Sequence, residues 1–175
     1  MTTTTILAGE FKGTKLFIGR SIRIRPTQSR IRKCIFDILS EMNGKDVLDL
    51  YAGAGSLGFE ALSRGANSVT FVDSDIQAIR VLNRNKLHFS DCNITIVKQD
   101  CFRFLRNTES KYHVILADPP YGKVDLPMLK TLALDRLREN GTLLIESSVR
   151  QDWVDSEAII KRYGDTQISI FRREI

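Results

Sequence analysis

Val47-Leu48-Asp49-Leu50-Tyr51-Ala52-Gly53-Ala54-Gly55-Ser56-Leu57-Gly58 is the stretch that decides the fold of this 175-residue chain. A short apolar strand runs into a glycine-rich loop, and Ser56 is the expected N-cap of a helix that ends near Gly65. Taken alone, Gly53-x-Gly55-x-x-Gly58 satisfies the dinucleotide fingerprint, so a nicotinamide enzyme is one candidate. A dinucleotide site, however, places its first glycine directly at the strand end to admit a pyrophosphate. Here Asp49 stands there, with three residues before Gly53. A carboxylate in that position repels a diphosphate and suits a ligand with a positive amino group.

S-adenosylmethionine is such a ligand, because it carries an ammonium and a sulfonium, has no phosphate, and ends in a ribose and an adenine. The next acids fall where those groups need them. Asp73 ends the run Val69-Thr70-Phe71-Val72, about twenty residues past the glycines, where an acid commonly holds a ribose diol. Asp100 ends the run Ile94 to Gln99 and, with the backbone of Cys101, is placed to reach an adenine amino group. Tyr51, Gly53 and Gly55 complete the expected cofactor contacts. One such acid alone reads as a helix cap or turn former. Asp49, Asp73, Asp100 and Asp118 in series match the site expected at the carboxyl ends of strands in an open α/β sheet.

Asp118-Pro119-Pro120-Tyr121 follows the apolar run Val114-Ile115-Leu116-Ala117. Neither proline has an N–H, and their fixed φ angles stiffen the segment. Stiff acceptors can be aimed. The Asp118 carboxylate and the Pro119 carbonyl can each accept a hydrogen from one exocyclic amino group while Tyr121 stacks on the base that carries it. Asp118 to Tyr121 are therefore the candidate catalytic residues, with Asp118 also at the edge of the cofactor. The competing reading is a Pro-Pro turn that closes a strand.

Composition fits one globular domain: 42% of residues are hydrophobic, and no apolar stretch approaches the ~20 residues of a membrane span. Met1-Thr2-Thr3-Thr4-Thr5 lacks the basic start of a secretory signal, so a cytoplasmic protein is expected. Cys34, Cys92 and Cys101 are widely spaced without a C-x-x-C pair, which indicates neither a disulfide framework nor a metal site. Charge is informative by location. Residues 1–33 hold Lys12, Lys15, Arg20, Arg23, Arg25, Arg30, Arg32 and Lys33 against Glu10 alone, so the whole excess behind the net +5 lies in this arm. Its sign fits a nucleic-acid backbone, and Lys12, Lys15, Arg20, Arg23, Arg25 and Arg30 are the candidate RNA contacts.

The remaining pattern predicts a small hairpin from Ile6-Leu7-Ala8 and Lys15 to Ile18, turning at Lys12-Gly13. A helix follows, capped by Thr27, with the apolar stripe Ile31, Ile35, Ile38, Leu39 and Met42. Strands near 46–50, 68–72, 94–99, 112–117 and 141–146 then alternate with helices near 56–64, 75–88, 101–107 and 127–138. The alternation predicts a mainly parallel sheet covered on both faces. Glu157 to Tyr163, a turn at Gly164-Asp165, and Thr166 to Arg172 read as a closing antiparallel hairpin. The expected division is a basic arm over residues 1–26 and a single globular unit over 27–175. Without a sustained heptad the chain is expected to be a monomer.

Over nearly its whole length the sequence resembles the bacterial small-subunit ribosomal RNA guanine-N2 methyltransferases of the RsmD type. The resemblance rests on Ala8-Gly9 with Lys12-Gly13, Arg25-Pro26-Thr27 with Arg30 and Arg32, and Val47 to Gly58. It continues through Glu60 to Ala66, Asp118 to Gly122 and Arg162 to Thr166. It implies a Rossmann-like class I methyltransferase with a seven-stranded sheet whose last strand is antiparallel. It also implies methyl transfer from S-adenosylmethionine to N2 of one guanine in 16S ribosomal RNA, as naked RNA or within a small subunit or assembly intermediate. The family often has Glu where Asp73 stands and Gly-Asp-Ala at positions 99–101. The shorter Asp73 leaves Asp75 as the alternative ribose contact. Two other classes remain open at this point: a DNA adenine-N6 methyltransferase, which shares the Asp-Pro-Pro-Tyr logic, and a non-catalytic RNA-binding protein.

Overall fold

In the computed structural model, residues 2–19, 26–151 and 153–174 are described, those at 26–28 by their backbone only. Arg20, Arg23 and Arg25 lie outside the described residues. The centre is a seven-stranded sheet of β3 (Asp46–Leu50), β4 (Ser68–Asp73), β5 (Asn93–Lys98), β6 (Tyr112–Ala117), β7 (Leu137–Ser148), β8 (Ile159–Tyr163) and β9 (Thr166–Arg172), in the order β5-β4-β3-β6-β7-β9-β8. The first five are parallel, and β9 runs antiparallel to both β7 and β8. From β3 the chain winds outward through β4 and β5, then returns to place β6 on the other side of β3. That reversal opens a crevice at the carboxyl ends of β3 and β6, where ligands bind in sheets of this kind.

Alternation along the strands divides the core. Val47, Val69, Phe71, Val114, Leu116 and Leu144 face one layer, and Leu48, Leu50, Val72, Ile115, Ala117 and Ile145 face the other. The first layer is covered by α1 (Pro26–Leu39), α2 (Ser56–Ser63) and α3 (Ile76–Lys86), the second by α4 (Cys101–Asn107) and α5 (Leu126–Leu134). A Cβ on Gly58 would come within 2.2 Å of the Phe71 ring, so this glycine of the motif is needed for helix–sheet packing.

The N-terminal hairpin, β1 (Thr3–Thr5) with β2 (Lys15–Phe17), is docked on the first layer through Ile6 and Leu16, both buried. Its polar anchor is Glu60, fully buried on α2. Glu60 accepts from the backbone N–H groups of Leu7 at 2.8 Å and Ala8 at 3.1 Å, and from Arg64 Nε at 2.9 Å. Arg32 of α1 lies 3.6 Å from the same carboxylate and donates to the Thr5 carbonyl at 2.6 Å. Gly9, at φ +86°, brings backbone so close to the Ser63 carbonyl that a Cβ would collide with it. Asn85 of α3 holds the other strand, accepting from Phe17 N–H at 2.8 Å and donating to the Phe17 and Ala54 carbonyls.

Several local expectations shift. The first strand is Thr3–Thr5 and not Ile6 to Ala8: the N–H groups of Leu7 and Ala8 go to Glu60, and the Ile6 side chain is buried in the first layer. Helix α1 opens at Pro26, with Thr27 inside it, as suits a proline that lacks an N–H to satisfy. It ends at Leu39 because Ser40 turns to φ +54°, yet Met42 beyond it is still buried. Helix α5 stops at Leu134, four residues early. The chain re-enters the sheet at Leu137, and the pairing register jumps between Tyr112 and Val114.

Replacing Glu60 with Ala leaves Arg32 buried beside no acid and two hairpin N–H groups without an acceptor. Breaking a buried pair in this way is expected to cost about 3–5 kcal/mol, read as a drop in the urea midpoint.

Candidate active site

The last paired residues of β3 and β6 are Leu50 and Ala117, and those of β6 and β7 are Ala117 and Ile145. Tyr51, Asp118 and Glu146 therefore stand side by side at the crevice, on strands about 4.8 Å apart. Asp49 lies one step below on the same face as Asp118 and Glu146. These three acids, with Tyr51, Gly53 and Ser56, line a cavity of about 110 Å³. Ile18 of the hairpin and Ile31 and Ile35 of α1 form its apolar wall.

Asp49 is 2% exposed, and its Oδ2 accepts from Gly58 N–H at 2.9 Å. Burial pushes its carboxyl up to about 8, with Asp73 adding to the rise and the Gly58 bond opposing it. That bond also explains a departure from expectation. Gly55, at φ +78°, holds the N-cap position of α2 without a side-chain bond, and Ser56 is the first helical residue. The N–H that a capping side chain would ordinarily satisfy is taken by Asp49 from the neighbouring strand. Asp73 braces the other end of the loop, its Oδ2 accepting from Gly53 N–H at 2.8 Å and its Oδ1 from Asp75 N–H at 2.9 Å. The loop itself bends through Tyr51 at φ +57° and Gly53 at φ +54°.

Asp118 opens onto the cleft, walled by protein on its remaining sides. These surroundings desolvate its carboxyl and push its pKa well above the usual range, and the nearby Glu146 and Asp49 carboxylates act in the same direction. Solvent in the cleft offsets part of the desolvation. Pro119 is buried, Pro120 is exposed, and a bond from Lys123 N–H to the Pro120 carbonyl at 3.2 Å closes the turn. The Tyr121 hydroxyl donates to Glu146 Oε1 at 3.1 Å and lies 3.5 Å from Thr166 Oγ1, which fixes the tip of the ring. Burial of that hydroxyl, with Glu146 and Asp118 near it, takes the phenol up to about 12, against the Thr166 bond. Tyr121 is 38% exposed, so part of its apolar surface remains accessible while its hydroxyl is anchored.

A second cavity of about 500 Å³ begins where the first ends, at Gly53, and runs past Asp73 and Asp75 to Arg80 and Arg84 of α3. Arg84 stacks on Phe17 at 4.2 Å. Asp73 and Asp75 share this second cavity, and Asp75 also caps α3 through Gln77 N–H. Asp100 is one strand further out and exposed, where it caps α4 by accepting from Arg103 N–H at 2.9 Å. Cys101 beside it is buried, and burial raises its thiol to about 12, so it remains protonated. A carboxylate has about four acceptor sites, so capping leaves these acids able to take a ligand.

Of the basic candidates within the described residues, Arg30 is exposed on the first turns of α1, one residue before the Ile31 that lines the cleft. Lys15 is exposed on β2. Lys12 sits in a turn packed on Ser63, at the opposite end of α2 from the glycine loop, about 12 Å away along the helix. Sequence reasoning passed over Glu146. Its signal was the one used for the others, an acid that ends an apolar run, here Leu143-Leu144-Ile145.

Residues 4–172 match the family model described as conserved hypothetical protein 95. The chain belongs to this family. Its relatives include the Escherichia coli (strain K12) protein named ribosomal RNA small subunit methyltransferase D, 30% identical over 153 residues, covering 87% of this chain and 74% of the relative. The Bacillus subtilis (strain 168) protein named putative rRNA methyltransferase YlbH is 30% identical over 180 residues, covering 96% and 98%. A solved structure described as putative methyltransferase yhhF from Escherichia coli matches with a TM-score of 0.87 at 27% identity, over 99% of both chains. The family match spans the hairpin, the glycine loop and the Asp-Pro-Pro-Tyr turn together.

The high Asp49 pKa has a consequence for stability. Between the ordinary carboxylate value near 4 and about 8, the folded chain holds a proton at Asp49 that the unfolded chain has lost. Stability of the ligand-free protein is therefore expected to fall as pH rises through this window. Asp49→Asn should flatten that slope in thermal melts taken from pH 5 to 9.

Proposed function

We propose that this chain transfers a methyl group from S-adenosylmethionine to the exocyclic N2 amino group of a guanine in 16S ribosomal RNA. The observation that carries the reading is that Asp118, which opens the Asp118-Pro119-Pro120-Tyr121 turn, lines one cavity with Asp49, Tyr51, Gly53 and Ser56 of the glycine loop, on adjacent strands. The donor set fits this cofactor. Carboxylates at Asp49, Asp73 and Asp100 suit an ammonium, a ribose diol and an adenine amino group, and the loop N–H groups of Gly53 and Gly58 are already claimed by acids, which leaves them unavailable to a diphosphate. The names of the relatives and the sequence resemblance support the same substrate class.

When bound, the cofactor supplies a methyl group already activated by a sulfonium. The task left to the protein is to orient a weak nucleophile, since the guanine N2 lone pair is delocalised into the ring. The Asp118 carboxylate and the Pro119 carbonyl each accept a hydrogen from the amino group and so turn the lone pair toward the methyl. As positive charge develops on the nitrogen, Asp118 stabilises it and accepts a proton. Removing the base from its stack costs a few kcal/mol, and stacking on Tyr121 recovers about 1–3. Arg30 beside the cleft, with Arg23 and Arg25 of the same basic stretch of sequence, neutralises the RNA backbone. The enzyme acts as a cytoplasmic monomer on a small-subunit particle or assembly intermediate.

The deciding experiment is methyl transfer from labelled S-adenosylmethionine to unmodified small subunits, naked 16S RNA and duplex DNA, with nucleoside mass analysis. N2-methylguanosine in subunits or RNA is expected. N6-methyladenine in DNA would move the activity to another class, and no product without cofactor binding would leave an RNA-binding protein. Asp118→Ala is expected to abolish turnover while leaving cofactor affinity within a few-fold in calorimetry. Neutralising Arg23, Arg25 and Arg30 should raise KM for RNA and flatten its dependence on salt; an unchanged slope would assign those residues to structure.

A further inference from the structure

The methyl transfer described above gives roles to Asp118 and Tyr121 and none to Glu146. Yet Glu146 lines the same cavity, follows the Ile145 that pairs with Ala117, and so stands level with Asp118 on the neighbouring strand and on the same face. Its Oε1 accepts the Tyr121 hydroxyl at 3.1 Å, which ties it to the plate on which a base would stack. Two carboxylates one strand apart, both beside that plate, form a surface of acceptors.

Guanine presents a matching edge. Its exocyclic amino group adjoins a ring N1–H, so two neighbouring groups donate. Adenine and cytosine instead place an unprotonated ring nitrogen beside the amino group, an acceptor that faces a carboxylate unfavourably. We propose that Glu146 selects guanine by accepting the ring N1–H while Asp118 accepts from the adjacent N2 amino group. With about four acceptor sites, the carboxylate can take the base alongside the interactions it already makes, the bond from Tyr121 among them. That bond also sets the Glu146 side chain relative to the stacking plane, so platform and edge reader move as one unit. The inference rests on the guanine-N2 reading above.

The test uses two RNAs that differ only at the modified nucleotide, once nucleoside analysis has mapped it. One carries guanosine and the other 2-aminopurine riboside, which keeps the 2-amino group but has an unprotonated N1 and no O6. Wild type, Glu146→Gln and Tyr121→Phe are each assayed on both. The wild-type preference in kcat/KM for guanosine is expected to shrink by about 5- to 150-fold in Glu146→Gln, whose amide can donate to the unprotonated N1. Tyr121→Phe, which frees the Glu146 side chain but keeps its carboxylate, should lower turnover on both RNAs and shrink the preference by less than Glu146→Gln does. If Glu146→Gln turns over too slowly to compare, the ratio of dissociation constants for the two RNAs gives the same reading. A preference unchanged from wild type in Glu146→Gln would overturn the proposal and leave the guanine-N2 assignment standing. Absence of N2-methylguanosine with wild type would overturn that assignment itself.

Discussion

The carboxylate of Glu60 is the constraint on which the rest of the molecule depends. It is fully buried, and it accepts from two hairpin N–H groups and Arg64 while facing Arg32 of α1. A buried charge is tolerable only when its acceptor capacity is used and opposite charge is near. The hairpin and α1 supply both, so docking of the N-terminal segment and burial of Glu60 are one event. The consequence reaches the active site, because the docked hairpin brings Ile18 and α1 brings Ile31 and Ile35 to wall the cleft. The apolar wall so formed faces Asp49, Asp118 and Glu146 across the cavity.

The acids at the strand ends work in the same double manner. Asp49 satisfies a helix N–H that Gly55 cannot, and Asp73 holds the loop at Gly53. Each fixes backbone with one acceptor site and retains others. The opposition between a structural and a binding reading of such acids thus dissolves, since a loop shaped by carboxylates presents those carboxylates to whatever it encloses. It also explains why the loop can bend through positive φ at Tyr51, a residue that ordinarily avoids it.

Much of this was legible in the sequence because it rests on local signals. Apolar runs that end in acids gave β3, β4, β5 and β6 and two of the three acids on the cleft floor, Asp49 and Asp118, and the alternation of elements gave the parallel sheet. What escaped depends on contacts distant in the chain. Ser56 looks like a cap because the sequence does not show that Asp49, nine positions earlier in β3, already serves Gly58. Ile6 to Ala8 read as a strand because apolar residues do so, whereas the backbone of Leu7 and Ala8 is drawn to Glu60 more than fifty positions away. Glu146 carried the same signal as Asp118 but lacked a motif around it, and only the pairing of β6 with β7 puts the two acids together.

The charge distribution supplies the last step. The chain is basic, with pI near 9.2, but the floor of its cleft is formed by Asp49, Asp118 and Glu146. A phosphate backbone is drawn to the basic side chains of the arm, while the cleft floor presents carboxyl groups, so the two parts of a nucleotide are directed to different surfaces before any base is read. The base, uncharged and rich in donors on its amino edge, is the part of the substrate that the acidic floor accepts. Tyr121 offers the first apolar surface on that path, with its hydroxyl already turned to Glu146. Separation of exposed Arg30 from a floor of carboxyl groups therefore favours extrusion of a base over entry of the backbone, using groups that are in place before the substrate arrives.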